Sequence, residues 1–119
     1  MTQQIIGNAF SLQMLLDPTA TINVYPIKKE DIPFDKCISA IGHQDLADYL
    51  GVEMNRINTK LDADDVLYVA QFMGGRLPEG TTMLEAEEMG KLVFFQITVS
   101  YPIIDYIGEH MLDNPYDYA

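Results

Sequence analysis

Basic residues are scarce in this chain. Its 119 residues include 7 Lys and Arg against 18 Asp and Glu, a formal charge of −11. Duplex DNA and RNA binders usually present a basic face, so that class is excluded. Docking on an anionic membrane surface is disfavoured for the same reason. Cysteine is nearly absent: Cys37 stands alone, so no intrachain disulfide forms, as suits a reducing cytoplasm. With two histidines, His43 and His110, one chain lacks the donors for a thiolate or multi-imidazole zinc site. An oxygen-rich Mg²⁺ or Ca²⁺ site stays open to so acidic a chain, but no EF-hand spacing occurs. No apolar run reaches the 18 or more residues of a membrane span. The start, Met1-Thr2-Gln3-Gln4, has no positive n-region, so it reads as a mature start and not a secretory signal. Walker, GxGxxG, GxSxG and HExxH motifs are all missing.

What remains is an ordinary globular composition, 48% hydrophobic and 21% charged. Length predicts one domain, large enough to bury roughly two-thirds of its unfolded surface. Gln4 to Asn8 reads as a strand, followed by Ser11 as N-cap of a short helix through Leu12, Met14, Leu15 and Leu16. Asp17-Pro18 ends that helix, and Thr21 to Tyr25 alternates as a second strand. The apolar spacing of Cys37, Ile38, Ile41, Leu46, Tyr49 and Leu50 predicts a helix over 36–50, capped by Asp35, interrupted at Gly42 and ended by Gly51. Val52 to Leu61 is expected as the third strand, joined by a hairpin-like turn at Asp62, Asp64 and Asp65 to a central strand, Val66 to Phe72. Met73 to Gly80 holds three glycines and a proline and reads as a mobile loop. Thr82 and Glu85 have capping-box spacing before a helix that ends at Gly90, and Leu92 to Val99 is the last strand. The expected fold is a single compact α/β domain over residues 1–100, a mixed sheet of about five strands flanked by short helices. Residues 101–119 read as a C-terminal extension: Ile103, Ile104, Ile107 and Met111 could form a helix after Pro102, a frayed end is expected beyond, and the segment could dock on the domain or on a second subunit.

Few residues suggest chemistry on type alone. His43 follows Gly42, which lets a ligand approach the backbone, and an imidazole near ~6.5 exchanges protons at cellular pH. The bland alternative is a surface or helix-capping histidine. Arg76 and Glu79 lie three apart on the glycine-rich loop. An arginine there is an anion-contacting candidate, or half of a solvated ion pair worth little. Asn8 and Ser11 bracket the turn into the first helix, whose N–H groups would suit an anion, though Ser11 as a plain cap explains the same residues. Gly74-Gly75 after a strand suggests a phosphate-cradling loop, against a merely flexible one. The tyrosines at 101, 106, 116 and 118 offer stacking surfaces or, more ordinarily, packing. Cys37 reads as a small buried apolar residue.

Five segments in register carry a family resemblance. They are Ile6-Gly7-Asn8-Ala9-Phe10-Ser11-Leu12-Gln13-Met14-Leu15, Ile38-Ser39-Ala40-Ile41-Gly42-His43, Leu67-Tyr68-Val69-Ala70-Gln71, Arg76-Leu77-Pro78-Glu79-Gly80 and Val93-Phe94-Phe95-Gln96-Ile97. Over roughly residues 4–99 the chain resembles the viral and mobile-element anti-CRISPR ring nucleases, a family that includes YddF-like proteins. The resemblance implies a homodimeric α/β enzyme that needs no metal or other cofactor. Its substrate would be cyclic tetra-adenylate, the second messenger of type III CRISPR immunity, opened to linear products with 2′,3′-cyclic phosphate ends. By motif, His43 would be the catalytic histidine, Glu79 the loop carboxylate and Arg76 a phosphate contact. Asn8, Ser11, Gln13, Gly42 and Gly75 would line the ligand, Gln13 standing where the family often has asparagine. The setting would be the cytoplasm, that of the host if the source is a virus. Two other classes compete: an acidic decoy for a basic host protein, and a module that sequesters the ring without cutting it.

Overall fold

The computed structural model describes residues 2–102. Five strands, β1 (Gln4–Gly7), β2 (Thr21–Pro26), β3 (Ile38–Ala40), β4 (Val66–Phe72) and β5 (Leu92–Ser100), form one sheet in the order β2-β5-β4-β1-β3. β1 runs parallel to both β3 and β4, whereas β5 is antiparallel to β4 and β2. The expected mixed α/β architecture is therefore present. β4 occupies the middle, as its nearly continuous apolar sequence requires.

Alternation along the strands splits the core in two. Ile6, Tyr68, Ala70, Leu92 and Phe94 face the helices α1 (Gln44–Leu50) and α2 (Met83–Glu88) and pack with Leu46, Ala47 and Ala86. Their neighbours Ile5, Leu67, Val69, Ile97 and Val99 face the other way, against Phe10, Met14, Leu15 and Leu61. Among the described residues, no long helix packs on that second face. A single 3-10 turn, Leu12–Met14, and the irregular segment before Leu61 cover it.

Three expectations are corrected. The 36–50 region is not one helix. Phe34–Lys36 is a 3-10 turn containing Asp35, which caps nothing, and Ile38–Ala40 is the edge strand β3. Cys37 and Ile41 pack on the helix side while Ala40 packs on the opposite face, a period of two that the short apolar run disguised. Second, 52–61 is not a strand. Its backbone makes strand-like pairing only at the isolated bridges Ile41–Met54 and Leu15–Leu61. Its groups satisfy those of β3: the Asn55 N–H donates to Ile41 O, its amide to Ser39 O, and the Ser39 hydroxyl to Glu53 O.

Third, Asp62 to Asp65 is no hairpin, since no strand precedes it. Asp65 is buried, and its carboxylate accepts from Gln3 N at 2.9 Å and Asp62 N at 2.8 Å. It fastens the start of β1 to the start of β4. Asp65→Ala would strand two backbone donors. We expect a loss of about 2–3 kcal/mol of stability, read by urea unfolding.

The cap signals match well. Gly51 ends α1 at φ 74°, a conformation that favours glycine. Thr82 and Glu85 make a complete capping box at α2. The helices are tied together by a clamp. Lys29 Nζ lies 2.9 Å from Glu87 Oε1 and 3.0 Å from Tyr49 Oη, and Tyr49 donates to the same Glu87 oxygen at 2.5 Å. Burial pushes the Glu87 carboxyl up, but Tyr49 and Lys29 outweigh it and hold it below its ordinary value. A carboxylate lowered in the folded state stabilises the fold above its unfolded value, near ~4.3. That contribution disappears as pH falls through the lower folded value. Glu87→Gln should therefore flatten the acid limb of a stability-versus-pH curve measured by thermal unfolding.

The Ile103–Met111 helix and the tyrosines at 106, 116 and 118 lie outside the described residues. Tyr101 is within them. It packs on the second core face, and its hydroxyl donates to Leu61 O while accepting from Leu16 N at 2.9 Å.

Candidate functional site

The parallel strands β1, β3 and β4 end on the same side of the sheet. Open sheets bind ligands beyond such ends, where neighbouring connections leave for opposite faces. That divergence occurs between β1 and β3. The chain after β1 turns through Phe10 and Met14 onto one face, and the chain after β3 enters α1 on the other. Asn8 and Gly42 stand in the resulting crevice. Asn8 Oδ1 accepts from Gly42 N at 3.0 Å, so the asparagine bridges the two strand ends.

His43 is the N-cap of α1. Its Nδ1 accepts from Leu46 N at 3.3 Å, so a neutral ring making this bond carries its proton on Nε2. The ring is exposed, and Nε2 is its free end. The histidine thus caps a helix, as its bland reading had it, and also carries an available N–H at the crevice. Arg56 completes the group, with Nε donating to Gly42 O at 3.2 Å. A Cβ on Gly42 would lie 3.3 Å from Arg56 Cγ, so glycine allows the arginine stem to cross closely. Gly42→Ala is expected to push that flexible stem aside at a cost below about 1 kcal/mol of stability, read by urea unfolding.

A cleft of about 340 Å³ adjoins, lined by Ser11, Gln13, Met14 and residues 57–60. Lys60 Nζ donates to Gln13 O at 2.6 Å and retains two further donors. Ser11 Oγ accepts from Gln13 N at 3.2 Å. The helix expected there is only a three-residue 3-10 turn, so no helix dipole acts, and Ser11 satisfies the N–H that was to meet an anion. Arg56 and Lys60 are the site cations that sequence reasoning missed. They sit in a stretch taken for a strand, and no motif marks them.

Arg76, Glu79 and Gly75 do not meet this group. They are exposed on the 73–80 loop after β4, two strands from β3 and hence ~10 Å across the sheet end. Neither Arg76 nor Glu79 makes a side-chain hydrogen bond or ion pair with any described residue. Gly74 and Gly80 turn the loop at φ 86° and 85°, and Leu77 anchors it to the helix-side core. Among the described residues no cluster of three His, Cys, Asp or Glu groups could hold a metal ion. Cys37 is half-buried rather than buried, and burial and then Asp35 push its thiol up to about 11, which disfavours the thiolate.

The family model described as STIV B116-like matches residues 5–100. The chain belongs to the STIV B116-like family. Among solved structures it is similar to B116 of Sulfolobus turreted icosahedral virus, at 23% identity and a TM-score of 0.65, covering 81% of this chain and 98% of B116. At that identity the likeness concerns the fold. No curated protein matches the chain. The B116-like match spans both sides of the crevice and the 73–80 loop, and it ends with β5.

Proposed function

We propose that this B116-like protein is a ring nuclease that opens cyclic tetra-adenylate by attack of a ribose 2′-hydroxyl on the adjacent phosphate. The observation that carries the reading is the crevice itself. In an acidic chain it gathers Asn8, His43 and Arg56 where two parallel strands end, beside a cleft that holds Lys60.

The nucleophile belongs to the substrate. The 2′-oxygen bonds to phosphorus as the P–O5′ bond breaks, and the 5′-oxygen takes up a proton. The protein holds the phosphate in line and stabilises the extra charge on its oxygens, the work of Arg56 and, on loop closure, Arg76. His43 is the general acid. As an imidazolium it carries protons on both nitrogens, so its cap to Leu46 opens when it is charged. The 2′-proton passes to Glu79 or, where Glu79 instead orients Arg76, to solvent water. The loop between Gly74 and Gly80 is the lid that delivers both residues.

A four-fold ring contains a two-fold axis, and a C2 homodimer presents one patch twice. Two His43 residues would then address opposite phosphates and yield two dinucleotides. In an infected cell this removes the signal that arms type III CRISPR nucleases, and it places the protein in the host cytoplasm. The test is to mix the purified chain with cyclic tetra-adenylate in excess EDTA and resolve the products. Dinucleotides ending in 2′,3′-cyclic phosphate are expected. Intact bound ring would instead identify a sequestering module, and no interaction a decoy.

A further inference from the structure

Arg56 is exposed, yet its guanidinium is held. An exposed arginine ordinarily samples many rotamers, and ordering it for a ligand costs affinity. Here Nε is spent on Gly42 O at 3.2 Å, which leaves the Nη donors of the fork free. The backbone beneath that side chain is fixed by the preceding residue. Asn55 is half-buried and grips β3 at two points. Its N–H donates to Ile41 O at 2.7 Å, and its Nδ2 donates to Ser39 O at 3.0 Å. Carbonyls two residues apart point the same way from a strand, so both lie on the edge of β3 that β1 does not occupy. One bond would let the segment pivot, whereas two set its direction. Asn8 holds the same glycine from the other side, accepting from Gly42 N at 3.0 Å. Both backbone groups of Gly42 are therefore engaged, and Arg56 crosses it at a fixed place.

We propose that Asn55 is a positioning residue of the crevice: by gripping the outer edge of β3 it aims the Arg56 guanidinium at the phosphate. Asn55 itself touches no substrate and acts through Arg56. Aiming at phosphate rests on the nuclease reading above; holding Arg56 does not.

Asn55→Ala keeps the backbone bond to Ile41 O and removes only the grip on Ser39 O. Arg56 and Arg76 are the only arginines in the chain, so isotope-labelled protein shows two arginine Nε–H signals. The Arg76 signal is an internal reference, since that side chain is exposed and makes no bond with any described residue. In the parental chain, Arg56 Nε–H is expected to exchange with water about 3–10-fold more slowly than Arg76 Nε–H. In Asn55→Ala the two rates should converge, while the Val69 amide stays protected and reports an intact sheet. Slow Arg56 exchange that survives the substitution overturns the proposal, as does an Arg56 signal already as fast as that of Arg76 in the parental chain. The second arm is titration with cyclic tetra-adenylate, in chains with Arg56 and with Arg56→Ala. Asn55→Ala should weaken ring binding about 3–10-fold in the first and leave the second unchanged. An equal loss in both would make Asn55 a general prop of the cleft and overturn the proposal. A parental chain that binds no ring would overturn the nuclease reading and the aim at phosphate with it, and the exchange rates alone would then decide whether Asn55 holds Arg56.

Discussion

Replacing His43 by asparagine is expected to abolish ring cleavage and leave the fold intact. Nδ1 of His43 caps α1 through Leu46 N, and asparagine is among the best N-cap residues. The variant keeps the helix start and loses only the transferable proton, a role worth about 10²–10⁴ in rate. His43→Ala should lose turnover by a similar factor and also about 1 kcal/mol of stability, because the cap goes with it. Single-turnover cleavage and urea unfolding of both variants separate the two roles. An asparagine variant that cleaves at the parental rate would leave His43 as a cap and nothing more.

The second large effect is expected at Arg76. The side chain is exposed and has no partner among the described residues, so Arg76→Ala should leave thermal stability unchanged. If the 73–80 loop closes over the ring, the same change removes a donor to the phosphate oxygens and should slow turnover about 10²–10³-fold. Arg76→Lys should recover only part of that, because a point charge does not reproduce a two-pronged guanidinium contact. Rates measured across ring concentrations up to saturation are the readout. Unchanged kcat and KM in the alanine variant would exclude the loop from the site and leave Arg56 as the phosphate contact.

These expectations rest on features of unequal legibility in the sequence. Strand β4, the Thr82–Glu85 capping box and the Gly51 stop follow from local chemistry, and the structure has them in place. β3 was hidden because three residues are too few to show a period, and Ile38 and Ile41 happen to fit helical spacing. The 52–61 stretch misleads for the opposite reason. Its apolar residues resemble a strand, yet its hydrogen bonds go to a sheet edge and to Met14. Arg56 and Lys60 enter the site from that stretch. Their importance depends on a tertiary path along β3 that no local pattern encodes. Asn8 and His43 were legible as residues, but not as neighbours. The Asn8–Gly42 hydrogen bond that joins them spans 34 positions.

The acidity that set the first limits keeps part of its force. A charge of −11 still opposes a long polyanion. It does not oppose a compact ring held by Arg56, Lys60 and Arg76, three of only 7 basic residues in the chain. The central claim is attack by the substrate's own 2′-hydroxyl. The most direct measurement is therefore single-turnover cleavage, in EDTA, of cyclic tetra-adenylate beside its fully 2′-O-methylated counterpart. Rapid conversion of the unmodified ring to dinucleotides with 2′,3′-cyclic phosphate ends is expected, with the methylated ring bound but intact. Cleavage of the methylated ring, or survival of the unmodified one, would contradict it.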